Sequence, residues 1–391
     1  MWRSRTFPLL LTGSFVLTIA TLGSSLWPAK AAASSHARQQ DQQKDSAQDQ
    51  VQKLSSTLIQ VPTIVTDRTG KFVADLTENN FTVLEDGKRQ EVGTFAAVKE
   101  PFNAVLVLDT SNSAEDRLKA IQYTALSFIK KMAPDDRATV ICFDHDVRQL
   151  TEFTSNHDEL NDAVRTVEAG FGKLLYEAVG EALNQLKQVD GRRAVILFTD
   201  GVDLDSIEAS SQGTIALAQE VGATIYCVQF DTRWWIESNA RKQQAEEDNN
   251  PNISYGADGR IPLPGGPMGG GNTSSSGPRV EIDAQGVPTV SVQRENGRHG
   301  TITENLDAMY NKADAYLKGL SDQSGGKLFK AYTAGDTEKA FGAIVDELHN
   351  QYMIGYYPGG SADGKYHHIK VQVDRKDLLV RARQGYKGEK Q

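Results

Sequence analysis

Cysteine is scarce in this chain. Cys142 and Cys227 are its two examples among 391 residues, so at most one disulfide can form. Each lies in an apolar run of strand character, ATVICFD (138–144) and ATIYCVQF (223–230). The α/β reading below sets those strands apart in one sheet, which predicts two buried thiols. Positive charge is also short. Lys and Arg number 42 against 51 Asp and Glu, a formal charge of -9, which argues against nucleic acid as a partner. The chain has no nucleophile elbow G-x-S-x-G, no phosphate loop and no H-E-x-x-H. The expectation is a protein that is not an enzyme.

Long apolar runs are confined to the N-terminus. Phe7 to Trp27 carries no charge, follows Arg3 and Arg5, and precedes two A-x-A patterns, Ala29-Lys30-Ala31 and Ala31-Ala32-Ala33. Residues 1–33 therefore read as a bacterial secretory signal peptide. No cysteine lies near it, which excludes a lipoprotein anchor, and there is no twin arginine. The rival reading is an uncleaved membrane anchor, because the run is about long enough to span. Cleavage removes Arg3, Arg5 and Lys30 and no acids, taking -9 by three to -12. The expected location is secreted or periplasmic, with membrane contact only if the segment stays.

Residues 34–52 are Gln-rich and polar and read as a disordered linker. Residues 53–100 hold β-branched, alternating segments with turn signals at Arg68-Thr69-Gly70 and Glu85-Asp86-Gly87. From residue 102 to 351 apolar strands alternate with amphipathic helices, which predicts an α/β fold with a doubly wound, mostly parallel sheet. Residues 233–300 interrupt that order with Gly, Pro, Ser and Asn and read as a disordered insertion. Residues 352–388 return to β character. Each β flank is too small to fold alone, so the two are expected to pack together as a small β-sandwich-like module.

In open parallel sheets, ligands collect at the carboxyl ends of strands where strand order reverses. Asp109 ends the run NAVLVLD and Asp200 ends AVILFTD. Ser111 and Ser113 follow the first at alternate positions. Two carboxylates and two hydroxyls on one edge suit a hard cation such as Mg²⁺.

At this point the chain resembles a family. LDTSNS (108–113) matches the D-x-S-x-S signature of von Willebrand factor type A (VWA) domains, and FTDGVD (198–203) matches their second strand-end aspartate. The flanks, with QYMIGYYP and VRARQGYKG, resemble those of secreted acidobacterial VWFA-related proteins. The resemblance implies a Rossmann-like VWA domain with a metal-ion-dependent adhesion site. Ser111 and Ser113 would bind Mg²⁺ or another divalent cation directly; Asp109 and Asp200 would act through hydrogen bonds or waters.

One residue departs from the pattern. The family usually carries a metal-binding threonine in the loop before the helix that begins LYEA (175–178), and Lys173 stands there. A protonated lysine cannot ligate a metal; it brings its own charge and three donors. Two readings stand side by side. Either the Lys173 ammonium occupies the metal position and pairs with Asp109 and Asp200, or the loop is shifted and Lys173 points to solvent.

Weaker candidates are the Asp144-His145-Asp146 cluster, read as an exposed turn, and Asp203 and Asp205, read as solvated acids. Trp234-Trp235 are read as packing against the domain edge. His367-His368 are adjacent in a strand and so face opposite sides. The function expected is a secreted binding protein that engages a protein ligand at the strand-end edge through an acidic side chain. The alternative is a structural or assembly protein with a VWA domain that binds no metal. A metal-assisted hydrolase ranks last, since no general base stands out.

Overall fold

The computed structural model describes residues 58–97, 100–111, 118–233, 279–282, 288–291, 302–359 and 363–388. The readings of residues 1–52, of Ser113, of Trp234-Trp235 and of most of the 233–300 insertion lie outside these. Among the described residues no helix is long and apolar enough to cross a membrane.

Four strands come from the first flank: β1 (Ile59–Asp67), β2 (Phe81–Glu85), β3 (Lys88–Gln90) and β4 (Val92–Ala96). The α/β portion then runs β5 (Phe102–Asp109), α1 (Leu118–Lys131), β6 (Arg137–Phe143), β7 (Val147–Gln149), α2 (His157–Arg165) and α3 (Leu175–Lys187). It continues with β8 (Arg192–Thr199), α4 (Ser211–Val221) and β9 (Thr224–Phe230). A short antiparallel hairpin, β10 (Arg279–Ile282) and β11 (Pro288–Ser291), falls within the 233–300 segment. Next come α5 (Ile302–Ser324), β12 (Lys327–Ala331) and α6 (Ala334–His349). The second flank supplies β13 (Gln351–Tyr356), β14 (Tyr366–Val373), β15 (Leu378–Ala382) and β16 (Gly385–Lys387).

The central sheet has the order β12-β9-β8-β5-β6-β7, with every pairing parallel except β6–β7. Its strands are apolar on both faces because both are covered. In β5, Ala104, Leu106 and Leu108 pack on one side with α1, α2 and α6. Val105 and Val107 pack on the other with α3, α4 and α5. β8 repeats the split with Ile196 and Phe198 against Val195 and Leu197. β5 is followed by β6 on one side and later by β8 on the other, so strand order reverses between β5 and β8. Both cysteines are free and buried, on strands separated by β8 and β5.

The flanks pair with each other. β1 lies between β13 and β15, and β2 lies between β14 and β3. The resulting four-stranded antiparallel sheets, β15-β1-β13-β4 and β16-β14-β2-β3, share one core. Val61, Val65, Tyr352, Ile354 and Tyr356 from the first meet Phe81, Val83, Ile369, Val371 and Tyr386 from the second. Each flank contributes strands to both sheets, and neither completes the core without the other. The seam with the α/β layer is held by Arg383, whose guanidinium donates to the carbonyls of Gln60, Gln219 and Gly385. Gly222, with φ 70°, caps α4 directly against it.

The segment SIEASSQG begins its helix later than its composition suggests. Ser210 is the N-cap, accepting from Gly213 N at 3.1 Å. Before it, Ser206 donates to Asp203, and the Ile207 and Glu208 amides donate to Glu177. Side chains there satisfy the backbone that a helix otherwise would.

Burial pushes the Cys227 thiol up to about 12 and raises Cys142 as well. A thiol reagent is therefore expected to label neither cysteine in the native protein and both in denaturant. Rapid native labelling, or no free thiol after unfolding, contradicts this packing.

Candidate functional site

Asp109 is the last residue of β5, and Leu108 lies opposite Phe198. The next step of that register brings Asp109 beside Thr199, on the sheet face that α3 covers. The Thr199 hydroxyl donates to Asp109 Oδ2 at 2.7 Å and accepts from the Gly201 amide at 3.0 Å. Ser111 donates to Asp109 Oδ1 through its hydroxyl at 2.5 Å and its amide at 3.1 Å. Asp109 and Asp200 are fully buried, and Ser111 is nearly so.

Lys173 precedes α3 on the same face and reaches into this edge. Its Nζ lies 2.5 Å from Asp200 Oδ2 and 3.7 Å from Asp109 Oδ2. The side chain is 4% exposed, so the solvent-facing reading of Lys173 does not hold here. Asp200 also accepts from the Val202 amide at 2.9 Å and the Thr232 hydroxyl at 2.7 Å. Thr232 is hydrogen-bonded to the buried Tyr310 hydroxyl. The site therefore gathers Asp109, Ser111, Asp200 and Lys173, and adds Thr199, Thr232 and Tyr310.

The loop that delivers Lys173 is tied down along its length. The Gly170 amide donates to Thr110 O at 2.8 Å. Gly172 has φ 79°, and a Cβ there would lie 2.9 Å from His145 Cα. The Lys173 amide donates to Asp205 Oδ2 at 2.7 Å, and its carbonyl accepts from the Leu204 and Asp205 amides. Asp203 Oδ1 accepts from the Tyr176 amide in the first turn of α3. Asp203 and Asp205 thus fasten the α3 loop; Asp203 is half-buried, which corrects its reading as a solvated acid, while Asp205 faces solvent as expected and makes its bond from there. The Asp144 turn also differs from expectation. Asp144 is buried and holds the Arg148 fork at 2.7 and 3.3 Å, while His145 faces solvent.

The electrostatics follow from burial. Burial pushes the Asp109 carboxyl above its ordinary 3.8; the Lys173 charge opposes this and the Asp200 charge adds to it. Burial also works against the Lys173 ammonium, but the two carboxylates overcome it and hold its pKa above the ordinary 10.5. The lysine's own share of the ion pair is therefore complete below 10.5 and is lost as pH rises through its raised folded value, while at the acid end protonation of Asp109 removes a partner charge. When all three groups are ionised the cluster keeps one excess negative charge.

The model of the von Willebrand factor type A domain matches residues 104–202, the stretch from β5 to the loop after Asp200. Residues 104–202 thus carry the match to a VWA domain. An uncharacterized protein of Synechocystis is 27% identical over 141 residues, 34% of this chain and 33% of the relative; the match thus spans about a third of that protein. Among solved structures, the vWF domain of the type V pili tip protein Mfa5 from Porphyromonas gingivalis aligns at 16% identity. That alignment covers 64% of this chain and 96% of Mfa5's, with a TM-score of 0.36. A von Willebrand factor type A protein from Catenulispora acidiphila aligns at 9% identity, covering 86% and 75%, with a TM-score of 0.41.

A VWA metal site needs oxygen ligands around an open volume. Here the oxygens of Asp109 and Asp200 are already engaged by hydroxyls, amides and an ammonium. Among the described residues the donor set fits an internal cation better than Mg²⁺. Replacing Lys173 with Met should cost about 3–5 kcal/mol, the usual effect of stranding buried partners of an ion pair. The loss should shrink as pH falls, because Asp109 takes up a proton. Denaturant melts at several pH values check this; a loss under about 0.5 kcal/mol, the usual limit for surface substitutions, contradicts it.

Proposed function

We propose that this is a secreted VWA-domain protein that engages a protein ligand without a metal ion, using Lys173 as a resident cation. The observation that carries the reading is the 2.5 Å contact between Lys173 Nζ and Asp200 in a fully buried setting. The support for secretion is the pattern of residues 1–33. No catalytic step is assigned.

A covered ammonium cannot meet a ligand's carboxylate directly. Its role is to hold the rim. The ion pair sets the loop that carries Phe171 and, through Asp205 and Asp203, the loop that carries Ile207. Both side chains stand out at the carboxyl edge, Phe171 52% exposed and Ile207 93%. Apolar side chains on a fixed polar rim are suited to a protein partner. A purely structural role is the second reading, favoured by the same burial.

Calorimetry separates a resident cation from a metal site. Mg²⁺ should give no binding heat with the natural protein and measurable binding with Lys173→Thr. Equal heats in the two proteins contradict the resident cation. Partner binding is tested with a photo-crosslinking residue at position 171, in extracts of the cells that make the protein. A discrete adduct that survives a chelator supports the binding reading. No adduct favours the structural one, and loss with chelator restores metal dependence.

A further inference from the structure

The VWA site leaves one cluster unused, at the rim of the β-sandwich. Asp86 and Gly87 form a two-residue hairpin turn between β2 and β3, with φ 48° and 80°, the combination a type I′ turn demands. The turn is fastened to β14: the Asp86 amide donates to His368 O at 2.9 Å, and the His368 amide donates to Asp86 Oδ1 at 2.9 Å. This brings His367, Glu85 and Asp86 together. His367 Nδ1 lies 2.9 Å from Asp86 Oδ2 and 3.9 Å from Glu85 Oε1. One ligand atom from each of the three residues falls within 4.8 Å of the other two.

We propose that Glu85, Asp86 and His367 bind a divalent transition-metal ion of the zinc type, with Asp363 orienting the imidazole. One imidazole nitrogen and two carboxylate oxygens, with water completing the shell, suit such a cation. His367 Nε2 lies 3.1 Å from Asp363 Oδ1. A carboxylate on the far nitrogen is the arrangement that metal-bound histidines use to fix their tautomer. The hydroxyls of Tyr356 and Tyr386 reach Glu85 Oε2 at 2.6 and 3.2 Å, so Oε1 is the oxygen turned toward His367. Glu85 and His367 are both 8% exposed, and the Tyr386 ring stacks on the imidazole at 5.2 Å. Glu85 and His367 are therefore held by packing, and Asp86 by its two bonds to His368.

The charge balance points the same way. Three carboxylates, Glu85, Asp86 and Asp363, surround one imidazole, and the nearest described lysine contact is Lys365 at 3.7 Å from Asp363. On binding, any proton on Nδ1 leaves to solvent and the metal takes its place.

The test is titration of Zn²⁺ alone into the full chain, read by calorimetry and by the thermal midpoint. The expected result is one-to-one binding with a raised midpoint. Asp86→Asn and His367→Gln should abolish both. Asp86→Asn is the safer variant, because Asp86 is exposed and Asn also accepts positive φ. Asp363→Asn should weaken binding at least about 10-fold without abolishing it. Absence of one-to-one binding, or binding that survives both Asp86→Asn and His367→Gln, overturns the proposal.

Discussion

The ammonium of Lys173, lodged between Asp200 and Asp109, is the contact on which the strand-end face depends. Two buried carboxylates meet at the point where strand order reverses, and burial alone disfavours their charge. A cation must share the space or a proton must be taken up. Lys173 supplies the cation from within the chain, and its backbone is fastened by Asp205 so that the side chain arrives from above α3. Desolvation weighs against such a pair. Its value here lies in geometry: it holds the loops after β5 and β8 and before α3 in one arrangement.

At the other end of the central strands the β-sandwich acts as a clamp. β1 comes from before the VWA domain, and β13, β14 and β15 come from after it, so the domain's two ends are held in one hydrophobic core. Arg383 extends that core to the end of α4 through backbone carbonyls. The strand-end face lies at the opposite ends of the central strands from the chain segments that enter and leave the sandwich.

Much of this was legible in residue pattern. The continuous apolar runs of β5, β6, β8 and β9 required a sheet covered on both faces, and D-x-S-x-S with T-D-G marked the edge. Lys173 stood out because it replaced a hydroxyl in a recognisable loop. Thr199, Thr232 and Tyr310 were not legible, since each acts through a register or a helix contact far away in sequence. The ties made by Asp203 and Asp205 were hidden because sequence does not show which amides a loop leaves unpaired. The Glu85-Asp86-His367 group was hidden more deeply. His367 lies 281 residues from Asp86 and meets it only because β2 pairs with β14.

Nitrogen NMR of the Lys173 Nζ reads directly whether the cation at this strand-end site is an ammonium. The expected signal is a slowly exchanging, charged NH₃⁺ that stays protonated beyond the ordinary lysine value of 10.5 and does not shift when Mg²⁺ is added. A neutral amine at neutral pH, or an ammonium that moves into solvent as Mg²⁺ binds, would contradict it.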